Sequence, residues 1–438
     1  MMRACLTTTT MVLALFGIVA PPSPARALDL ESALREVAAA NPRLAAHDAW
    51  VDAARHRVGP AGAWPAPMLE LGVVNVPTSG RFDVDPMTMK MIGLSQAVPV
   101  SGRSGLSRRA ATRAWQTEGA AAELARFDLL GAAWQAYADA FFARELVRSE
   151  GQHRAVMDRM VRTALAGYAT GRSGHHEVVR AEAERARVLA ELAAFRAEEL
   201  SARTRLGVLM GRASLVAGEP LSPPPMHGVP ADSAAWLAAV TPEHPRLRRF
   251  ADEAERYALA ARAARRSLWP DLELRGSYGV REDLLAGHGA VKQEPMFSAS
   301  VGLALPLFAG RSPRAEGAEL EAMARASRAE RDAAELELRG ELLATHALAR
   351  SAQHTYRLHA DTVVVAQRRW LESASSAYAT GEIEMARVLE AGHALVAEEI
   401  ALIRARQRLA SAQARLVALT GRTDLLGVRL PPARSGER

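Results

Sequence analysis

The chain has 438 residues, enough on length alone for two or three ordinary domains. Apolar residues supply 49% and charged residues 24%, but aromatics only 5%, which excludes bulk disorder and leaves few large side chains for compact cores. The net charge of +6 is almost wholly arginine, since Lys90 and Lys292 are the only lysines; interspersed with glutamate at helical spacing, it reads as solvated helix faces and not as a nucleic-acid footprint.

Residues 1–27 combine Arg3, an apolar run at 11–20 and the small-residue site Ala25-Arg26-Ala27, the pattern of a secretory signal peptide cleaved after Ala27. Cys5, the single cysteine, leaves with that segment, so disulfides, thiol catalysis and thiolate metal sites are not expected in the mature chain. Loss of Arg3 and Arg26, with no acid, lowers the charge from +6 to +4. No later stretch approaches about 18 uninterrupted apolar residues, so a membrane span, if present, has to be β.

A helix is expected over 28–58, ending before Trp64-Pro65, followed by extended segments at 67–77 and 89–99. Residues 102–166 contain no proline and no glycine cluster; some 60 helical residues at about 1.5 Å each form a rod of roughly 90–100 Å. Such a rod has to lie along similar rods. Its seam is visible in Phe127, Leu130, Trp134, Tyr137 and Phe141, which step by three and four, and continues in Val188, Leu192, Phe195, Ala202, Leu206 and Leu209. The Pro-rich stretch 220–230 reads as a linker.

The same order then recurs. A helix is expected over 243–267, before Trp269-Pro270, and then two alternating segments. Leu272, Leu274, Tyr278 and Val280 share one face, with Glu273, Arg275 and Ser277 on the other; Phe297, Ala299, Val301, Leu303 and Leu305 oppose Ser298, Ser300, Gly302 and Ala304. Segments of roughly ten residues with one apolar and one polar face suit a tilted bilayer-crossing strand. Loops 78–88 and 281–295 are then expected outside. The last helical pattern carries Leu395, Leu402, Leu409 and Leu416 at heptad spacing.

Internal matches establish a duplication. Tyr-Ala-Thr-Gly occurs at 168–171 and 378–381, and at the same offset of 210 Arg205-Leu206, Leu209 and Gly211-Arg212 match Arg415-Leu416, Leu419 and Gly421-Arg422. Upstream, Pro42-Arg43-Leu44 matches Pro245-Arg246-Leu247, and Gly102-Arg103-Ser104 matches Gly310-Arg311-Ser312. The expected organisation is a signal peptide at 1–27, a first repeat at 28–218, a linker at 219–240, a second repeat at 241–425 and a tail at 426–438. Four strands cannot close a membrane barrel, which needs about eight, and an open edge in lipid is untenable, so several chains have to share one barrel.

With duplicated Asn41/His244-Pro-Arg-Leu, duplicated Trp-Pro, Gly-Arg at the strand-to-helix junctions and two Tyr-x-x-Gly turns, the whole mature chain resembles the TolC-type outer-membrane efflux proteins. That resemblance implies a mainly α chain with a small membrane β part. Long antiparallel coiled-coil helices form an α-barrel, and four strands per chain contribute to a trimeric 12-stranded β-barrel. It further implies a homotrimer in outer-membrane lipid, extending into the periplasm. Its expected partners are a periplasmic adaptor (membrane fusion protein) and an inner-membrane pump of RND or ABC type, with the channel passively conducting the pump's substrate outward.

Tyr168, Gly171, Tyr378 and Gly381 read locally as helix-hairpin turns. The resemblance makes them candidate adaptor-docking residues, with Val178 and Val388 beside them. The family's acidic aperture positions fall on Arg387 and Glu390, so only the second stays acidic; Glu177 and Arg180 are the first-half equivalents, with charges reversed. The two sets are expected to latch the closed mouth, although ordinary exposed helix charges explain them equally well. The stretch 96–103 (Gln-Ala-Val-Pro-Val-Ser-Gly-Arg) resembles heavy-metal-efflux members and suggests metal cations as cargo. Met87, Met89 and Met91 could offer thioethers to Cu(I), or simply face lipid or loop. His175-His176 and His346, His354 and His359 lack ligand spacing, so no resident metal or cofactor is expected. No phosphate loop, nucleophile elbow, His-Glu-x-x-His or closely spaced carboxylate pair on a strand end is present, which argues against an enzyme. A type I protein-secretion channel and a soluble periplasmic coiled-coil scaffold are the competing readings.

Overall fold

The computed structural model describes residues 27–171, 174–213, 219–286, 289–306 and 311–422; the segment 1–26, the tail 426–438 and Gly310 lie outside them. The first half runs α1 (Leu30–Ala40), α2 (Pro42–Ala61), β1 (Met68–Val74), β2 (Met89–Val98), α3 (Arg103–Ala169) and α4 (His175–Leu209). After the short helix α5 (Ala234–Leu237) come α6 (Pro245–Arg266), β3 (Asp271–Arg281), a small hairpin of β4 (Leu284–Ala286) and β5 (Gly289–Val291), and β6 (Met296–Ala304). The chain then descends α7 (Ser312–Leu358), passes a π-helical turn at His359–Val363 into α8 (Val364–Ala379), and returns along α9 (Met385–Thr420).

Three features differ from the sequence expectation. The helix expected over 28–58 is two helices, because Pro42 has no N–H to donate; it takes the first helical position of α2, and Asn41 Oδ1 accepts from Arg43 N at 2.9 Å. The loop 281–295 contains the β4–β5 pair. The Pro-rich stretch is strapped across the helices: Leu28 and Leu221 form an isolated parallel bridge, Val229 N donates to Gln353 Oε1 at 2.6 Å, and His346 Nε2 meets Pro230 O at 2.8 Å.

At about 1.5 Å per residue, the 67 residues of α3 form a rod of about 100 Å. It packs along α4, α6 and α9, while α6 packs along α7. The heptad positions settle in the seams: Leu130, Trp134, Tyr137, Val188, Leu192, Leu206, Leu409 and Leu416 are all buried. A Cβ built on Gly131 would stand 2.4 Å from that of Ala418, so α3 and α9 approach too closely there for any side chain. Packing of this kind explains the composition, since alanine and glycine let rods touch where aromatics would hold them apart. The main core lies at mid-length, around Trp134, Tyr137, Trp236 and Leu34. There the Tyr137 hydroxyl lies 2.7 Å from the carbonyls of Leu28 and Ser222, tying the chain start and the strapped segment to α3; burial raises its pKa.

The four long strands form one antiparallel sheet in the order β1-β2-β3-β6. Arg103, just after Gly102 (φ 73°), bonds Asp271 at 2.7 Å and so fixes the first residue of α3 to the first residue of β3.

Candidate functional site

The sheet register sorts the strands into two faces. Leu94 pairs with Leu69, Ile92 with Leu71, Tyr278 with Phe297 and Leu274 with Val301, so these side chains share one face, and all eight are exposed in the single chain. Eleven residues at about 3.3 Å, tilted by about 40°, rise about 28 Å, close to the height of a membrane's apolar slab. The opposite face carries Ser95, Ser277, Ser298 and Ser300, with Arg275 between Glu70 at 3.7 Å and Glu273 at 3.1 Å. In the first strand, pairing places Leu69, Leu71 and Val73 on the apolar face and Met68, Glu70 and Gly72 on the polar one. Met89 and Met91 lie on the polar face, opposite Arg281 and Gly279, while Met87 is in the exposed loop. Neither β1 nor β6 has a second neighbour in the described sheet. The described sheet therefore has one apolar and one polar face and is open at both edges.

At the other end of the rods stand two hairpin tips of one design. In each Tyr-Ala-Thr-Gly the threonine hydroxyl donates back into its helix, Thr170 to Ala166 O at 3.1 Å and Thr380 to Ala377 O at 3.0 Å. The glycine then takes positive φ, 70° at Gly171 and 77° at Gly381, where a Cβ would be strained. Tyr168 and Tyr378 are exposed. Val178 and Val388 are buried, the first against Val161, Ala164 and Ala181, the second against Ala374 and Ala391. Their side chains hold each hairpin together and offer no free docking surface. A cleft of about 540 Å³ separates the tips, lined by Met160, His176, Glu177, Arg180, Tyr378, Glu384 and Met385 among others. Arg387 donates to Glu390 on its own helix at 2.9 Å, and among the described residues no ion pair joins this set to Glu177 and Arg180 within the chain.

Between sheet and tips, α9 is clamped to α4 where Arg404 grips Glu198 at 2.5 and 2.6 Å. The guanidinium holds the Glu198 carboxyl below the usual carboxylate range, and burial raises Asp139 beside it. Sequence reasoning missed the role of the duplicated Asn/His-Pro-Arg-Leu. Asn41 Nδ2 donates to Leu209 O at 2.7 Å, and His244 Nε2 meets Leu419 O at 2.9 Å while His244 Nδ1 accepts from Arg246 N. Each cap thus closes the last turn of the long helix of its own half. The signal was available, because Leu209 and Leu419 are themselves a matched pair. Among the described residues no group of three metal-ligating side chains converges, and no helix is long and apolar enough to cross a membrane.

An amphipathic sheet with two open edges, continued by rods of about 100 Å ending in paired tips, defines one share of a barrel-and-tunnel membrane protein. The family model for outer membrane efflux proteins matches residues 33–212 and 237–422, and the chain belongs to that family. No curated protein matches the sequence. Among solved structures, the chain is similar to a membrane protein from Pseudomonas aeruginosa, at 18% identity and TM-score 0.74, over 90% of this chain and 92% of that one. The outer membrane channel CmeC of Campylobacter jejuni follows at 14% and 0.74, over 92% and 87%. The outer membrane protein VceC of Vibrio cholerae follows at 18% and 0.72, over 92% and 97%. These likenesses establish the fold.

Proposed function

We propose that three copies of this chain close a 12-stranded outer-membrane barrel and form the exit duct of a tripartite efflux system. The observation that carries this reading is the sheet: its apolar face suits lipid, while β1 and β6 each present an unpaired row of backbone groups that hydrocarbon does not tolerate. Pairing β6 of one copy with β1 of the next satisfies both edges and closes the ring. The polar face then lines a water-filled bore, and the rods extend it below the membrane. The organisation into two repeats, 28–218 and 241–425, is part of the same reading, each repeat supplying one strand pair and one hairpin.

In this duct Tyr168, Gly171, Tyr378 and Gly381 offer the surface for a periplasmic adaptor, which links the channel to an inner-membrane pump of RND or ABC type. Glu177, Arg180, Arg387 and Glu390 surround the aperture between copies. Conduction is passive, and heavy-metal cations are the cargo, a choice supported by the resemblance of 96–103 to metal-efflux members. The test uses the absence of cysteine after residue 5. Gly72→Cys in β1, combined in turn with Ser298→Cys, Ser300→Cys or Gly302→Cys in β6, is expected to give dimer and trimer bands on a non-reducing gel of outer membranes. Monomer throughout the scan would overturn the shared barrel.

A further inference from the structure

The two hairpins of one chain meet above their tips through a cluster of imidazoles and carboxylates. Glu150 and His153 come from α3, Glu184 from α4 and His393 from α9. Glu150 is fully buried; its Oε1 lies 3.3 Å from His153 Nδ1, and its Oε2 has no hydrogen-bond partner. His153 is 7% exposed, and its Nε2 is also unpartnered. Its ring meets that of His393 edge to face, centroids 5.5 Å apart. His393 Nε2 stands 3.4 Å from Glu184 Oε2 without the geometry of a hydrogen bond, and Glu184 is already held by Arg187 at 3.0 Å. Met157, Val188 and Leu389 complete the same seam between α3, α4 and α9. Among the described residues no set of three metal-ligating side chains converges, and imidazoles exchange protons near neutral pH.

The charges around His393 decide the sign. Burial disfavours its cation first, and His153 and Arg187 add to that; Glu184 and Glu191 oppose them, and the net effect holds its pKa below the ordinary imidazole value. On the far side of α9, Arg368 of α8 is occupied by Glu399 at 3.3 Å. The packed seam therefore prefers a neutral ring, and separated, hydrated hairpins prefer a charged one. A place to bend exists just above: the π turn His359–Val363 interrupts the α7–α8 rod, with His359 Nδ1 2.9 Å from Glu398 Oε2. Such turns locally loosen the helical ladder.

We propose that His393, packed edge to face on His153, is a proton-sensitive clasp between the hairpins, released in acid so that α8 and the lower half of α9 swing from α3 and α4 about the π turn and loosen the mouth. The consequence for conduction rests on the channel reading above; the clasp itself is a property of one chain.

The two can be separated by hydrogen exchange on the full chain in lipid nanodiscs, with protection factors for residues 385–400 corrected for intrinsic rates between about pH 7.5 and about pH 5.5. Protection in the parent is expected to fall severalfold in acid, and to stay flat in His393→Gln. In His153→Gln, which removes a neighbour that disfavours the His393 cation, the half-point should move toward neutral pH. Melting at the higher pH verifies that each variant folds, and if His393→Gln does not, the His153→Gln midpoint decides. No acid response in the parent, an undiminished one in His393→Gln, or an unmoved midpoint in His153→Gln would overturn the clasp. Acid loosening without single-channel current would instead overturn the duct.

Discussion

Two residues from different chemical classes do one job in this chain. Asn41 and His244 each accept a bond from the backbone N–H two residues on, and each bonds the carbonyl near the end of a long helix, Leu209 or Leu419. Only a side chain with both an acceptor and a donor can bridge two helix ends in this way. Asn41→Ala removes both bonds and should cost about 1–2 kcal/mol in stability, read as a lower melting temperature of the purified protein. His244→Asn should be tolerated, since asparagine already serves in the first half. It should also flatten part of the acid response: burial holds His244 below its ordinary value, so its contribution to stability is full above about pH 6.5 and drains as pH falls below it. A melting profile of His244→Asn as steep in acid as the parent's would refute that assignment.

Each secondary-structure element ends where chemistry stops it: Pro42 and Pro245 open helices, Thr170-Gly171 and Thr380-Gly381 close them, and Gly102 turns strand into rod. At the tips, the four aperture candidates do not pair across the hairpins of one chain, since Arg387 turns to Glu390 on its own helix and Glu177 and Arg180 face the cleft. A latch made from them has to act between copies. Arg387→Glu places like charges three residues apart beside Glu390 and removes the cation such a latch needs, at a cost of about 0.5 kcal/mol to the exposed helix itself. Leak conductance of the reconstituted channel is expected to rise severalfold. An unchanged conductance would dismiss the latch and leave these residues as solvated charges.

For the whole molecule, the question is what the bore passes. The polar strand face carries serines, the acids Glu70 and Glu273, Arg275 and the thioethers of Met89 and Met91, a lining hospitable to cations and not confined to them. Deleting the gene and profiling growth against divalent cations, Cu(I) and hydrophobic drugs should show selective sensitivity to the metals. Resistance unchanged toward all of them would favour protein secretion as the cargo class.

The sequence by itself determined the duplication, the rods, the tips and the two-faced strands, because each is local: periodicities of two and of three-and-four, proline, and glycine at positive φ act through neighbours in the chain. Tyr168, Gly171, Tyr378 and Gly381 were legible for that reason. Tertiary structure alone decided which way Met89 and Met91 face, that Val178 and Val388 are buried, that the Pro-rich stretch is strapped to α7, and that His153 and His393 meet across 240 residues of chain. Those facts depend on the strand register and on the rotation of one helix against another. Both are set by packing between segments far apart in sequence, which no single stretch encodes.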